Sequence, residues 1–156
     1  MNEIFLSPYN PEKTEDRIYK LWEDSGFFNP DICIEKGVTN KDSSSFTIVM
    51  PPPNANGNLH AGHSLVITIE DIMTRYKRMR GFKTLWIPGA DHAGFETQVV
   101  YEKKLEKEGR SRFGMDPNDL YKKILDFTLE NKKNMETQVR QLGASCDWSR
   151  EKFTLD

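Results

Sequence analysis

The chain has 156 residues, of which 37% are hydrophobic and 29% are charged, and its formal net charge at pH 7 is −2. This length suits a single globular domain with a sizeable core, and the slightly acidic balance argues against a strongly basic nucleic-acid surface. No apolar run approaches the roughly 20 residues needed to cross a membrane, and Met1–Ile4 lacks the basic and apolar regions of a leader peptide.

The two cysteines indicate a reducing compartment. Cys33 and Cys146 are too few and too far apart for a zinc framework, and lone thiols are typical of reduced proteins. The sequence therefore predicts a cytoplasmic protein without a structural metal and without attachment to a membrane.

A helical segment is predicted at the N-terminus, within about residues 1–35. Asn10 as N-cap and Pro11 at the first helical position predict where its main helix begins, and Gly26 predicts where it ends. The expected packing face of this helix carries Ile18, Leu21 and Trp22.

The β-branched and apolar segment 46–50 predicts a short, buried parallel strand. Three prolines then prevent further ladder pairing, and helical spacing begins after Gly57 and stops at Gly81. The apolar residues of this helix recur at steps of three and four, at Leu65, Ile69, Ile72, Met73, Tyr76 and Met79.

A second strand and two further helices are predicted after Gly81. The strand covers Thr84–Ile87, with Trp86 in the core, and a helix starts near Ala93. The last long helix has Asp116 as N-cap and ends at Gly143. Its core-facing residues are expected to be Leu120, Ile124, Phe127, Met135, Val139 and Leu142.

This β-α-β-α order predicts an α/β fold with parallel strands and flanking helices. In such sheets, ligands bind outside the carboxyl ends of the strands. Segments 51–63 and 88–94 each follow a predicted strand, so we expect them to converge on one pocket.

Two histidines stand at the mouth of the helix that follows the first strand. His60 and His63 share one side of its first turn, where free N–H groups and the positive end of the helix dipole favour phosphate. Gly62 between them lacks a Cβ, so a flat adenine has room against the backbone. The alternative is a pair of surface histidines without a ligand.

Both loops resemble segments of a known family. The stretch 51–63 resembles the HIGH signature of class I aminoacyl-tRNA synthetases. Gly89–Gly94 is similar to the loop after the second strand in valyl-tRNA synthetases, and Leu142–Arg150 is similar to the segment before their connective insertion. Tyr9–Pro11 and the helix with Trp22 resemble the opening helix of the same enzymes.

The sequence departs from the valyl pattern at two places. Ala55-Asn56 is closer to the isoleucyl pattern, and Ala61 replaces the commoner Ile or Met of the signature. Neither departure removes a group expected to touch phosphate, but both leave the amino-acid assignment less secure than the class.

The resemblance implies the first half of a Rossmann-like nucleotide-binding domain. Residues 1–156 would be the N-terminal part of the catalytic domain, with the helical extension at about 1–35. Editing, KMSKS and anticodon-binding regions are not found in the sequence. We therefore expect the 156-residue chain by itself to be inactive or nearly so.

The resemblance also implies roles for individual residues. His60 and His63 would be the catalytic residues, acting on the phosphates of ATP. The ATP-binding residues are expected to be Asn56, Gly57, His60, Gly62, His63 and His92. The amino-acid-binding residues are expected to be Pro52, Pro53, Asn54 and Asp91. No protein residue is expected to hold a metal, since Mg²⁺ would arrive with ATP.

Two of these residues have a second interpretation. Asp91 would hold the α-ammonium of the amino acid through charge-assisted hydrogen bonds, or it caps the helix that follows, and the two roles can coexist. His92 contacts ATP or only orients its loop.

The implied activity is ATP-dependent ligation of valine to tRNA through a valyl-adenylate. Valine, ATP and tRNA are the expected partners, the tRNA mainly through regions outside this sequence, and the expected state is a monomer. Two alternatives stay open: a nucleotide-binding module without ligase activity, and an isoleucine-type synthetase.

Overall fold

The computed structural model describes residues 8–156, so the prediction made for Met1–Ile4 lies outside the described residues. In chain order the elements are α1 (Glu15–Ser25), α2 (Pro30–Glu35), β1 (Ser45–Val49), α3 (Ala61–Met79), β2 (Lys83–Ile87), β3 (Gly89–Ala90), α4 (Gly94–Lys107), α5 (Pro117–Gln141) and β4 (Lys152–Phe153). Short 3-10 turns precede α5 and β4. Within residues 8–156, no helix is both long enough and apolar enough to cross a bilayer.

The predicted parallel pairing is confirmed. β1 and β2 run parallel, with Phe46 opposite Thr84 and Val49 opposite Ile87, and α3 connects them. β3 continues the line of β2 and pairs in parallel with β4. The other edge of β2 is also used, because the Asp147 N–H donates to the Trp86 carbonyl at 2.8 Å. The segment 83–91 therefore has neighbours on both of its edges.

The prediction that the first strand is buried was wrong. Exposed and half-buried residues alternate along β1, and Val49 is 66% exposed. Within residues 8–156, β1 has a strand partner on only one edge, whereas β2 lies between β1 and the segment around Asp147. The position of a strand in the sheet decides its burial here, because the same apolar sequence pattern occurs in edge strands and in central strands.

Trp86 forms the centre of the main core, as predicted, and is fully buried. The buried residues of this cluster are Met50, Ile67, Trp86, Val139, Ala144 and Cys146. At about 25 cal/mol per Å² of apolar surface, burying a tryptophan side chain of about 200 Å² stabilises the fold by at most roughly 5 kcal/mol. The indole N–H is satisfied, because Nε1 donates to Glu70 Oε2 at 3.0 Å.

α1 begins later than the sequence predicts. Its first residue is Glu15, with Thr14 as N-cap, whereas Asn10 caps only a preceding turn by accepting the Lys13 N–H at 3.1 Å. The predicted end is confirmed, since Gly26 has φ 75° and terminates the helix.

The buried side chain of α1 is Tyr19. Of the predicted face of Ile18, Leu21 and Trp22, Ile18 is half-buried and the other two residues are exposed, so that part of the prediction was wrong. Leu21 is 63% exposed and Trp22 36% exposed. The hydroxyl of Tyr19 donates to the Ala144 carbonyl at 2.7 Å and accepts from Trp148 Nε1 at 2.8 Å. Burial raises the pKa of Tyr19. A polar tip with two partners lets a tyrosine occupy the buried position.

α3 and α5 have the predicted limits. α3 starts directly after His60, and Gly81 follows its end with φ 78°. Asp116 caps α5 by accepting the N–H groups of Asn118 and Asp119. Of the predicted core face of α5, Met135 and Val139 are buried, Leu120, Ile124 and Phe127 are half-buried, and Leu142 is exposed.

The apolar stripe of α3 lies on the surface. The buried residues of this helix are Ile67, Glu70 and Thr74. The residues exposed by more than two fifths are Leu65, Val66, Ile69, Ile72, Met73, Tyr76 and Met79. The helical period was therefore correct, but it marks a face that residues 8–156 leave exposed.

Glu70 makes the stability of the fold sensitive to pH. Burial raises the pKa of its carboxyl, although the hydrogen bond from Trp86 acts in the opposite direction. The neutral form is thus favoured in the folded chain, and the contribution of Glu70 to stability falls as the pH rises through the raised pKa. We expect Glu70→Gln, which keeps an oxygen acceptor for the indole, to gain stability relative to the native chain as the pH rises from about 4 to 7.

Urea unfolding at a series of pH values measures this difference. Glu106→Gln is the matched control, because Glu106 is an exposed helical glutamate, and its difference from the native chain should stay constant. A pH-independent difference for Glu70→Gln would contradict the assignment.

Candidate nucleotide-binding site

The two predicted loops do converge. The Asp91 N–H donates to the Pro53 carbonyl at 2.9 Å, and the Ala55 N–H donates to the Asp91 carbonyl at 2.7 Å. This pair of bonds makes Asn54 and Asp91 neighbours in a parallel bridge. The two chain segments thus pair again beyond the ends of β1 and β2, in an isolated bridge at the carboxyl ends of the strands.

Close backbone approach explains Gly89 in this region. A Cβ on Gly89 would lie 3.3 Å from the Lys152 carbonyl oxygen and 3.5 Å from Pro52 Cβ. The contact with the Lys152 oxygen would be closer than an ordinary van der Waals contact. Pro52 itself is exposed, whereas Pro53 is buried. The fixed φ of both prolines makes this part of the loop rigid, and we call Pro52, Pro53 and Asn54 the proline wall.

Asp91 is held by one of its two carboxylate oxygens. Oδ1 accepts the Ala93 N–H at 2.9 Å and the Thr154 hydroxyl at 3.1 Å. Among residues 8–156, no hydrogen-bond donor lies at Oδ2, and the side chain is 37% exposed. The local capping interpretation and an ammonium-binding role are therefore compatible, since each uses a different oxygen.

His92 is fixed by the end of the chain. Its N–H donates to Thr154 Oγ1 at 2.9 Å, and its Nδ1 lies 2.6 Å from the same oxygen. Sequence reasoning missed Thr154, because it follows the histidine by 62 positions and nothing local marks it.

The two predicted catalytic histidines cap α3 together. His60 is the N-cap residue, and its Nδ1 accepts the Gly62 N–H at 3.1 Å. His63 reaches back, so that its Nδ1 accepts the His60 N–H at 3.2 Å. The ring centroids are 3.9 Å apart, which confirms that both rings share one side of the first turn.

This arrangement assigns the proton of each ring. An Nδ1 that accepts a hydrogen bond carries no proton, so neutral His60 and His63 must be protonated at Nε2. Each ring then offers an Nε2–H donor next to the N-terminus of a helix of 19 residues. Two donors and the positive end of the helix dipole are a suitable environment for phosphate oxygens.

Gly62 has a steric role that the sequence did not suggest. A Cβ at this position would lie 2.9 Å from Cε1 and 3.1 Å from Nδ1 of His60. The space beside Gly62 is therefore filled by the His60 ring, whereas the sequence had suggested adenine.

Burial and the neighbouring His60 ring, in that order, lower the pKa of His63. A lowered pKa means that the folded chain favours the neutral ring. The stabilisation is present above the pKa of an unfolded histidine, about 6.5, and is lost as the pH falls through the lower folded value. The same protonation would remove the Nδ1 acceptor of the helix cap.

A clamp from α5 holds the residues just before His60. Gln138 accepts the Leu59 N–H at 2.8 Å through Oε1 and donates through Nε2 to Asn58 Oδ1 at 3.2 Å. Asn134 donates to the same Asn58 oxygen at 2.7 Å. Sequence reasoning missed this clamp, although polar residues one helical turn apart beside a core stripe were a visible signal.

The predicted residues form two groups. One contains Pro53, Asn54, Asp91 and His92, and the other contains His60, Gly62 and His63. Asn56 and Gly57 lie on the connection between them, where a Cβ on Gly57 would meet no heavy atom within 4 Å. Within residues 8–156, no hydrogen bond links the two groups directly.

Metal-binding residue types do not cluster in the part of the chain that the structure describes. Among residues 8–156, no three His, Cys, Asp or Glu side chains converge in a way that would hold a metal ion. Cys33 and Cys146 are buried free thiols, and burial raises the pKa of both.

A cleft of about 620 Å³ lies elsewhere, between α1 and α5, and contains none of the predicted site residues. Two charged groups in its lining already satisfy one another, because Arg140 Nε donates to Glu23 Oε1 at 3.1 Å. A cavity of about 290 Å³ does adjoin the site and is lined by His92, Thr97 and residues of α5.

The chain is similar to known proteins of one family. The sequence model of the family described as "tRNA synthetases class I (I, L, M and V)" matches residues 17–156. The chain is 47% identical to a valine–tRNA ligase of Psychrobacter arcticus over 148 residues, and 44% identical to the chloroplastic/mitochondrial valine–tRNA ligase 2 of Arabidopsis thaliana over 159 residues. These alignments cover 95% and 99% of the chain.

The chain spans only a small part of these relatives, 14% of the first and 16% of the second. A solved structure, the ternary complex of Agrobacterium radiobacter LeuRS with tRNA and LeuAMS, superimposes with a TM-score of 0.68 at 20% identity. The superposition covers 96% of the chain and 16% of that protein. It shows that the fold is shared.

We expect Gly62→Ala to destabilise the chain although alanine is the better helix former. Its Cβ would displace the His60 ring and break the Nδ1 cap, and loss of an N-cap typically costs about 1 kcal/mol. Urea unfolding gives the free energy, and the ¹⁵N chemical shift of His60 Nδ1 reports the lost bond.

Gly114→Ala is the matched control, because a Cβ there meets nothing within 4 Å. It should change the free energy of unfolding by less than about 0.5 kcal/mol. An unchanged Nδ1 shift in Gly62→Ala would contradict the steric role.

Proposed function

We propose a function from one premise: the chain belongs to the class I tRNA synthetases, the family of the I, L, M and V enzymes. Within that family, we propose that residues 1–156 are the N-terminal portion of the catalytic domain of a valine–tRNA ligase. Such an enzyme activates valine with ATP to valyl-adenylate and transfers the valyl group to tRNA. The names of relatives at 42–47% identity support valine.

One observation carries the proposal: the parallel bridge that puts Asp91 beside Asn54. It joins a free carboxylate oxygen to a rigid proline wall at the carboxyl ends of the strands, where α/β proteins bind ligands. In the proposed reaction, Asp91 Oδ2 accepts hydrogen bonds from the α-ammonium of the amino acid. Pro52, Pro53 and Asn54 form the wall against which the amino acid lies.

His60 and His63 act at the phosphate end. As the amino-acid carboxylate attacks the α-phosphorus and pyrophosphate leaves, negative charge builds on the phosphate oxygens. The Nε2–H groups assigned above donate to these oxygens, and no protein nucleophile is needed. Catalysis of this kind rests on positioning and on donors aimed at the developing charge. Asn56, Gly57 and His92 complete the proposed ATP site. Gly62 acts indirectly, because it leaves room for the His60 ring.

The departure at Ala55 has a structural reason, so it is not evidence for isoleucine. Ala55 is fully buried in a small core with Ala90 and Met135. A residue in that place is selected by packing, so its identity carries little information about the amino acid that the enzyme binds.

The other proposed partners follow from the reaction. Mg²⁺ neutralises ATP phosphates as part of the substrate, and tRNA binds mainly through regions outside this chain. Cytoplasmic location and a monomeric state remain predictions of the sequence. A nucleotide-binding module without ligase activity is the remaining alternative.

We expect His60→Ala and His63→Ala each to slow valyl-adenylate formation by about 10²–10³, with little change in the KM for valine, because a donor to developing charge is lost. ATP–pyrophosphate exchange, measured on the gene product at its natural length, tests this.

Two further variants separate chemistry from capping. His60→Asn and His63→Gln keep side-chain acceptors suited to a helix N-terminus but lack the imidazole Nε2–H. They should be as slow as the alanine variants. Exchange at the native rate in either variant would show that the histidine concerned only caps the helix and does not take part in the reaction.

Asp91→Asn should raise the KM for valine, threonine and isoleucine together, because all three carry the α-ammonium that the carboxylate binds. The native protein should use valine best, with threonine behind it and isoleucine excluded by size. Exchange assays with each amino acid provide both measurements. Isoleucine as the best substrate would show that the assignment to valine is wrong.

A further inference from the structure

Thr154 ties the end of the chain to both polar residues of the second loop. It directly follows β4, and its N–H donates to the Ala90 carbonyl at 3.2 Å. Its hydroxyl oxygen lies 2.9 Å from the His92 N, 2.6 Å from His92 Nδ1 and 3.1 Å from Asp91 Oδ1. One exposed hydroxyl thus meets three polar atoms more than 60 positions away.

The hydrogen-bonding capacity of a hydroxyl allows one arrangement that satisfies all three contacts. A threonine hydroxyl donates one proton and accepts two hydrogen bonds. The His92 N–H can only donate, and ionised Asp91 can only accept. The hydroxyl therefore donates its hydrogen bond to Asp91 Oδ1, and its remaining lone pair accepts a hydrogen bond from an N–H at His92 Nδ1.

This arrangement sets His92 apart from the other two histidines. His60 and His63 accept at Nδ1 and are protonated at Nε2. Neutral His92 would instead carry its proton on Nδ1 and leave Nε2 as an acceptor. Free histidine side chains favour the Nε2–H form, so the other tautomer needs an acceptor at Nδ1. The Thr154 oxygen, at 2.6 Å, is nearer to Nδ1 than Asp91 Oδ1, at 3.5 Å.

We propose that Thr154 is a positioning residue for the amino-acid pocket. Its hydroxyl occupies Asp91 Oδ1 and so turns Oδ2 toward the α-ammonium, while it holds the His92 ring as the Nδ1–H tautomer. This inference rests on the proposed function for its effect on substrate, but the tautomer of His92 is a property of the chain alone.

The test compares Thr154→Val with Thr154→Ser. Valine keeps the β-branched shape and the backbone bond to Ala90 but has no hydroxyl, whereas serine restores the hydroxyl. Thr137→Val is the matched control, because the Thr137 hydroxyl donates only to the Lys133 carbonyl within α5. Circular dichroism and urea unfolding confirm that each variant is folded.

Two readouts are needed on the gene product at its natural length. The first is the pair of ¹⁵N shifts of the His92 ring at about pH 9, where histidines are neutral. The native protein should show the Nδ1–H form, and Thr154→Val should change to Nε2–H. The second is ATP–pyrophosphate exchange, in which Thr154→Val should raise the KM for valine about tenfold, the loss of one hydrogen bond to a charged group.

Thr154→Ser should restore both readouts, and Thr137→Val should leave both at native values. The proposal is overturned if Thr154→Val keeps the native tautomer, if its KM for valine is unchanged, or if serine fails to restore them. A native protein that exchanges no amino acid would defeat the proposed ligase function. In that case the ring shifts alone would still decide whether Thr154 holds His92.

Discussion

Backbone pairing on both edges of segment 83–91 is the constraint on which the rest of the structure depends. On one edge it bonds to β1 and to the proline loop, and on the other to the chain from Asp147 to Thr154. The β1–β2 pairing places Trp86 in the core, and an isolated bridge further along the same segment places Asp91 beside Asn54 at the carboxyl end. The packing of the core and the geometry of the candidate site therefore both depend on the backbone pairing of this one segment.

A half-buried polar network connects the helices to this segment. The guanidinium of Arg78 donates to Ser145 Oγ, to the Ser145 carbonyl and to the Phe28 carbonyl. Asp71 accepts from both the N–H and the hydroxyl of Ser145. Burial lowers the pKa of Arg78, so this charge is held at a cost that its hydrogen bonds offset. The network joins α3 to the entrance of α2 and to the chain that follows α5.

The candidate site uses two opposite ways of fixing an imidazole. At the start of α3, backbone N–H groups bond to Nδ1 and leave Nε2–H as a donor. In the second loop, a hydroxyl from a distant segment meets Nδ1 and leaves Nε2 as an acceptor. The first device is local and comes with the helix, whereas the second exists only once β4 has paired with β3.

The sequence by itself determined the features whose partners lie within a few residues. His60 at the start of α3, the Asp116 cap of α5 and the glycine ends of three helices were correctly predicted, because caps and turns are short-range interactions. Only the tertiary structure decided which faces are buried. It placed β1 at an edge, left the apolar stripe of α3 exposed and brought Thr154 and Gln138 to the site. Those outcomes depend on contacts between segments tens of residues apart, and neither helical period nor strand composition carries information about them.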